Sequence, residues 1–492
     1  MAYRSQWFIS FVIVCFMVAA YVIFEPLIDP TTTTRPAPPK LPSYDENDIG
    51  HFLHITDIHL DENYLTGSTI ESTCHTKDPA AKGGAGKYGE TYCDTPLLLA
   101  NKTFEWIKHT WQDQLDFVVW TGDNARHDGD KAMKRTRESV YRSNQLTADM
   151  MLQTFPNTPV VPCLGNNDVV PHNTINDPQL HKKTRKLLQF YQALWQPWIP
   201  TSQMGVFAQH GGHVTHVSHQ LRVLSLNTMY FIKKNKKVEG CDRDGAAQLH
   251  MAWFEQEIDR ARQEGAKVLV IGHVPPNSDY RYSCLDAYTR VSANYADVIT
   301  GHLFGHLNKD HFLLYDTSRS HVRSVDDDDQ DHRPFLPPPA GQQVLDGQLD
   351  GLQKIPKFAR SLRDMYESLN PRNLDRLRAA SKKSPVVAIQ VGPSILPKYH
   401  PTVRIYSYSK TDGVLLGYQQ FYADLNHWDS PESSQDYTLE YSTALDYDMP
   451  DLSAESFYDL AKRMVDPDDA TGNKHWKTYV NNIFVQTRAI FA

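Results

Sequence analysis

Six short apolar runs in this 492-residue chain stop in residues that coordinate metals, and no other feature constrains the fold as tightly. They read ITDIH (Asp57, His59), WTGDN (Asp123), CLGNND (Asn166, Asn167, Asp168), VIGHVPP (His273), VITGH (His302) and FGHLN (His306, Asn308). A strand that ends in Asp, His or Asn delivers that donor to the carboxyl edge of its sheet, where open α/β sheets place their ligands. Six such endings imply a cage of oxygen and nitrogen donors along one edge.

The intervening pattern supports the sheet. HFLHITDIH, LDFVVWTGD, TPVVPCLGNND, LRVLSLNT and AKVLVIGH read as buried strands. PLLLANKTFEWIKHTW, the stretch 131–155 and AAQLHMAWFEQEIDRARQEG carry apolar residues at helical spacing. Strands alternating with helices predict a layered α/β fold with a parallel or mixed sheet, spanning residues 51–316. Residues 317–384 begin with an acidic run and a Pro-rich stretch, SVDDDDQDHRPFLPPPAGQQ, and have few apolar anchors; they read as a loosely ordered surface insertion. From residue 385, VVAIQVGPSILP, TVRIYSYS and GVLLGYQQFYADL return to strand character, and a helical, aromatic-rich tail completes the domain to residue 492.

The chain opens with a six-residue stub (1–6) and an uncharged run, Trp7–Phe24, long enough to cross a bilayer. Arg4 precedes it, and Glu25 and Asp29 follow, which predicts a single-pass type II anchor with the body outside the cytosol. A cleaved signal peptide ending near Val18-Ala19-Ala20 is the other reading, and both deliver the same compartment. A Pro/Thr-rich linker fills residues 25–50. In an oxidising lumen Cys74 can pair with Cys93 across the loop KGGAGKYG, and Cys241 with Cys284 across a helix–strand unit, though four cysteines allow three connectivities. Cys163, in VVPCLG, reads as a buried thiol, and Asn101-Lys102-Thr103 is a glycosylation sequon. The net charge of −8 argues against a nucleic-acid partner, so an anionic substrate needs local positive charge or metal.

A two-cation site, with ions about 3.5–4 Å apart, needs a bridging carboxylate plus His, Asp and Asn for each ion, and it is suited to in-line attack at phosphorus. The blocks D-x-H, G-D, G-N-N-D, G-H and G-H-x-N, in this order, resemble the calcineurin-like metallophosphoesterases. HITDIHLDENY, WTGDNARHD, PCLGNNDVVPHN, IGHVPP, LFGHLNKDHF and GPSILPKYHPTVRIY resemble more closely the fungal vacuolar endopolyphosphatases, of the acid sphingomyelinase-related branch. The resemblance implies a layered β-sandwich flanked by helices, an N-terminal membrane helix, a vacuolar lumenal catalytic domain and inorganic polyphosphate as substrate. It implies two divalent cations, with Zn, Mn, Mg, Co and Fe all compatible. Asp57, His59 and Asn308 would hold the first, Asn166, His273 and His306 the second, and Asp123 would bridge them.

Two positions depart from the wider superfamily. Asn167 stands where a phosphate-facing His is usual, and Asn308 replaces a terminal His by an amide oxygen. His127, four residues after Asp123, is expected to take over as general acid or phosphate contact, unless Asp128 merely satisfies it in a loop. His302 reads as a neighbour of the ligand His306. Asp61, Asn124 and Asp168 read as turn or supporting residues, and Asn227 as a loop pin. An internal anhydride expels a phosphate of low basicity, which an Asn at position 167 tolerates better than an alkoxide. Lys233, Lys234, Lys236 and Lys237 form the dense basic cluster expected to contact a polyanion. A sphingomyelinase-like phosphodiesterase and a decayed, membrane-anchored binding protein are the competing readings.

Overall fold

The computed structural model describes residues 45–78, 84–317, 355–370, 372, 376–377, 383–430 and 433–487. They all belong to one compact unit, Leu41–Ala492. The apolar run Trp7–Phe24, the linker up to residue 44 and residues 318–354 of the expected insertion lie outside them. Among the described residues no helix is long and apolar enough to cross a membrane.

Two six-stranded mixed sheets form the core. The first runs in the order Thr438–Ser442, Leu415–Tyr422, Thr402–Ser409, Ile49–Ile55, Phe117–Trp120, Val160–Pro162, and its last three strands are parallel. The second runs His311–Asp316, Val386–Val391, Ile299–Phe304, Lys267–Ile271, Leu221–Ser225, His213–His216, with the four inner strands parallel. Strands such as FVVW are buried at every position and read as unbroken apolar runs, as parallel strands covered on both faces do. Side chains also bond from sheet to sheet: Ser225 Oγ donates to the Pro162 carbonyl at 2.7 Å and Tyr406 Oη to Gln390 Oε1 at 3.2 Å.

Several expectations are corrected. The first strand starts at Ile49, pairing Ile49 with Ser409, so the end of the expected linker already belongs to the sheet. The helix expected from residue 131 begins at Arg137, because Thr136 and Ser139 form a reciprocal cap there. Within the expected insertion, Lys357–Glu367 is a helix that buries Ala359, Leu362, Met365 and Tyr366, and the Tyr366 hydroxyl donates to the Phe312 carbonyl at 2.9 Å. Its charged residues occupy the outer face, so four apolar positions suffice to dock it. The structure joins Cys74 to Cys93 and Cys241 to Cys284, and leaves Cys163 a buried thiol.

Candidate metal centre

The parallel strands of each sheet point the same way, so their carboxyl ends place the donors on one edge. Asp57 and His59 follow Ile49–Ile55, Asp123 follows Phe117–Trp120, and Asn166 follows Val160–Pro162. His273 follows Lys267–Ile271, and His306 and Asn308 follow Ile299–Phe304. Five of these seven have positive φ: Asp57 (51°), His59 (46°), Asp123 (58°), His306 (71°) and Asn308 (54°). Left-handed backbone at a non-glycine residue costs roughly 1 kcal/mol or more and persists where surroundings enforce it, typically at functional sites. Two glycines permit the crowding. A Cβ on Gly165 would lie 2.1 Å from the Asp123 nitrogen, and one on Gly305 2.0 Å from Thr56 Oγ1.

The hydrogen bonds these residues make leave their ligand atoms facing one another. His59 Nδ1 lies 3.1 Å from the Ala125 carbonyl, which only accepts, so the ring proton sits there and Nε2 keeps its lone pair. That Nε2 is buried without a partner, 3.5 Å from Asp57 Oδ1 and 3.4 Å from Asp123 Oδ2. Asp57 Oδ1 and Asn308 Oδ1 are likewise buried with no donor. The second group repeats the pattern. His273 Nδ1 donates to the Thr121 carbonyl at 2.8 Å, and Nε2 faces Asn166 Oδ1 at 2.9 Å, Asp123 Oδ2 at 3.2 Å and His306 Nδ1 at 3.2 Å. Lone pairs facing lone pairs in a buried site are unfavourable unless a cation lies among them. Asp123 Oδ2 belongs to both groups, which is the geometry of a bridging carboxylate. The donor set fits a pair of divalent cations, and its mixture of imidazole, carboxylate and amide oxygen leaves the element open.

Electrostatics agree. Burial alone would keep His273 neutral, but the Asp123 and Asp57 carboxylates facing it outweigh burial and push its pKa up to about 9, so without a metal a proton on Nε2 takes the place of the cation the cluster requires. Burial likewise opposes ionisation of Asp123, and the positive charge on His273 overrides it, holding that carboxyl well below its usual range. The centre draws in positive charge.

The supporting residues show what each expected position does. Asn167 gives its backbone N–H to Asp123 Oδ1 at 2.7 Å and its amide to Asp123 Oδ2 at 2.8 Å, while its own oxygen accepts from Arg135 at 3.3 Å. With both ends of its amide engaged, Asn167 holds the Asp123 carboxylate in place at the position where a phosphate-facing His is usual. His127 is satisfied by Asp94 rather than Asp128: its N–H donates to Asp94 Oδ2 at 2.9 Å and its Nδ1 to Asp94 Oδ1 at 2.6 Å. Its ring stacks on His59 at 4.0 Å, and half of its side chain is exposed. Asp168 accepts the backbone N–H groups of Asp123, Asn124 and Gly165 at 2.8–2.9 Å, clamping two ligand loops together. His302 is a core residue hydrogen-bonded to the Tyr288 hydroxyl, and Asn227 ties its loop to the His210 carbonyl. Lys233 is turned to the Ser278 carbonyl at 2.9 Å, and Lys234 is exposed beside it. Lys236 and Lys237 are exposed, and Asn101 is exposed on the helix Leu97–Trp111.

Sequence reasoning missed Asp94 and Arg135. Asp94 ends no strand, and its one signal is its place beside Cys93, where the disulfide and the Thr95 N–H to His59 carbonyl bond (3.0 Å) carry it to the site.

Residues 50–309 match the calcineurin-like phosphoesterase family. The chain belongs to that family. Residues 382–490 of this phosphoesterase match a second model, the acid sphingomyelin phosphodiesterase C-terminal region. Arg404, inside that region, forms a buried ion pair with Asp310, two residues beyond Asn308, so the C-terminal strands brace a ligand loop. Among curated relatives, the phosphoesterase is 35% identical over 411 residues to an endopolyphosphatase of Cryptococcus neoformans, covering 74% of this chain and 58% of that protein. It is 33% identical to one of Candida glabrata (78% and 67%) and 32% identical to one of Saccharomyces cerevisiae (74% and 61%). It thus spans about three-fifths of the length of the curated relatives it matches. A dimetal phosphatase structure from Danio rerio aligns at 11% identity over 54% of this chain and 83% of that one, with a TM-score of 0.32, a likeness on which nothing below rests.

Proposed function

We propose that this phosphoesterase cuts internal phosphoanhydride bonds of inorganic polyphosphate at a dinuclear metal centre, giving shorter chains. The observation that carries the reading is the pair of buried lone-pair clusters sharing Asp123 Oδ2. The relatives named endopolyphosphatase supply the substrate class. Two divalent cations bound here supply Lewis acidity and lower the pKa of water at the centre.

The chain's own residues organise the rest. Asp123, held at both oxygens by Asn167, fixes the spacing of the two donor groups. Asp57 is set by Thr56 Oγ1 at 2.6 Å and the His306 N–H at 2.8 Å. Asp94 accepts from the Nδ1–H of His127 and orients the ring, so that Nε2, when it also carries a proton, donates to the oxygen of the departing chain. As the water oxygen bonds to phosphorus, the bridging oxygen leaves with the distal chain. That group's pKa is near 6, so it needs little help from an acid.

The same reading places the body in the vacuolar lumen on a type II anchor, Trp7–Phe24, in keeping with two disulfides, which persist in oxidising compartments. The C-terminal match to acid sphingomyelin phosphodiesterase supports one alternative, a lipid phosphodiesterase. The test is incubation of the purified full chain with long-chain polyphosphate or sphingomyelin and each divalent ion in turn. A ladder of intermediate chain lengths is expected. Release of single phosphates alone, or turnover of sphingomyelin only, would overturn the proposal.

A further inference from the structure

Lys398 is half-buried, and among the described residues its ammonium has no carboxylate within ion-pair distance and no hydrogen bond. Its loop is fastened to the first donor group: the Ile395 N–H donates to the Thr56 carbonyl at 3.3 Å and the Leu396 N–H to the Asp57 carbonyl at 3.0 Å. A second loop reaches the other donor group. Asn173 N–H donates to the Asn166 carbonyl at 3.0 Å, which sets the neighbouring His172 beside that ligand. The Asn235 amide donates to the Ile175 carbonyl at 2.9 Å, and so fastens the lysine loop to the same segment. Lys234, next to Asn235, is carried by that bond to the same end of the donor set.

A half-buried ammonium beside a seat for a dication is repelled by that cation, and the arrangement is favourable when an anion lies between them. Positive groups stand at both the Asp57 end and the Asn166 end of the donor set, where a phosphate chain extending past the centre in both directions would meet them. A site for a terminal phosphate needs only one such bank. We propose that Lys398 forms one bank, and Lys234 the other, of a track that seats a polyphosphate chain on both sides of the bond to be cut. The inference rests on the reaction proposed above and deepens it, because two banks account for internal rather than terminal cutting.

The test uses the full chain with Lys398→Met and Lys398→Arg. In chelator, end-labelled long-chain polyphosphate is titrated by fluorescence anisotropy; the Met variant is expected to bind about tenfold more weakly, the loss of one charge-assisted contact. Its salt dependence should shallow by about one ion. With divalent ions present, KM for long chains should rise by a similar factor with kcat largely retained, and more cuts should fall near chain ends. The Arg variant should restore binding and cut position. If Kd and KM of the Met variant stay within about twofold of the parent, below the effect of losing one such contact, the track is refuted while the reaction stands. Binding that depends on Lys398 without any shortening of the chain would refute the reaction and keep the track.

Discussion

Asp168→Asn changes one atom in a residue that touches no substrate, yet the structure makes it a severe substitution. Asp168 Oδ1 accepts the Asn124 N–H at 2.8 Å and the Asn144 amide at 3.2 Å, while Oδ2 accepts the Asp123 and Gly165 N–H groups, both at 2.9 Å. An amide has one accepting end, so whichever way the substituted side chain turned, its NH2 would confront two buried donors. Each donor stranded without an acceptor costs about 1–3 kcal/mol, so a loss near 4 kcal/mol is expected. The same bonds hold the Asp123 loop to the Asn166 loop, so affinity for metal should fall with stability. Urea unfolding followed by circular dichroism, together with metal analysis of the dialysed protein, measures both. A variant within about 1 kcal/mol of the parent, less than one stranded donor, that still retains its metal would refute the clamp.

Three further outcomes are expected. His213 is buried with neither ring nitrogen partnered, and burial pushes its pKa down to about 3 from 6.5. Between those values the unfolded chain takes up a proton that the folded one refuses, so stability falls as pH drops below 6.5; His213→Leu should remove about 1.4 kcal/mol per pH unit of that slope, measured by denaturant unfolding from neutral pH to pH 5. Replacing Cys74 and Cys93 by Ser opens a loop of 19 residues and should cost about 3 kcal/mol, with a loss of activity as Asp94 loosens, read by thermal unfolding and turnover. Asp94→Asn should lower kcat about tenfold, the loss of one positioning hydrogen bond, with little change in KM, and adding it to His127→Ala should cost almost nothing more, since the two act as a unit.

The donors of the centre were legible in the sequence because each follows its strand by a few residues, so that knowing the strand fixes the edge. The strand order was not, since it depends on which runs pair across the sheet. What escaped were residues delivered by tertiary pairing. Asp94 arrives through a disulfide and a backbone bond to His59, and Lys398 through the Leu396–Asp57 backbone bond more than 300 residues away in sequence. The sequence shows that Asn167 replaces a His, but not that its amide is engaged by Asp123 and Arg135, a tertiary arrangement. The helix Lys357–Glu367 was hidden because its docking stripe is only four residues wide amid charge.

The account stands on two groups of buried lone pairs meeting at Asp123, and counting the metal they retain tests it most directly. Elemental analysis of the purified chain, dialysed against buffer without chelator, should find about two divalent ions per chain. Chelation should lower Tm by about 6 °C, the effect of losing two ligands each present at about 100 times its Kd. Asp123→Asn should lower both occupancies together, as loss of a shared ligand requires. A parent protein that retains no metal, with the same Tm in metal and in chelator, would contradict the account at its root.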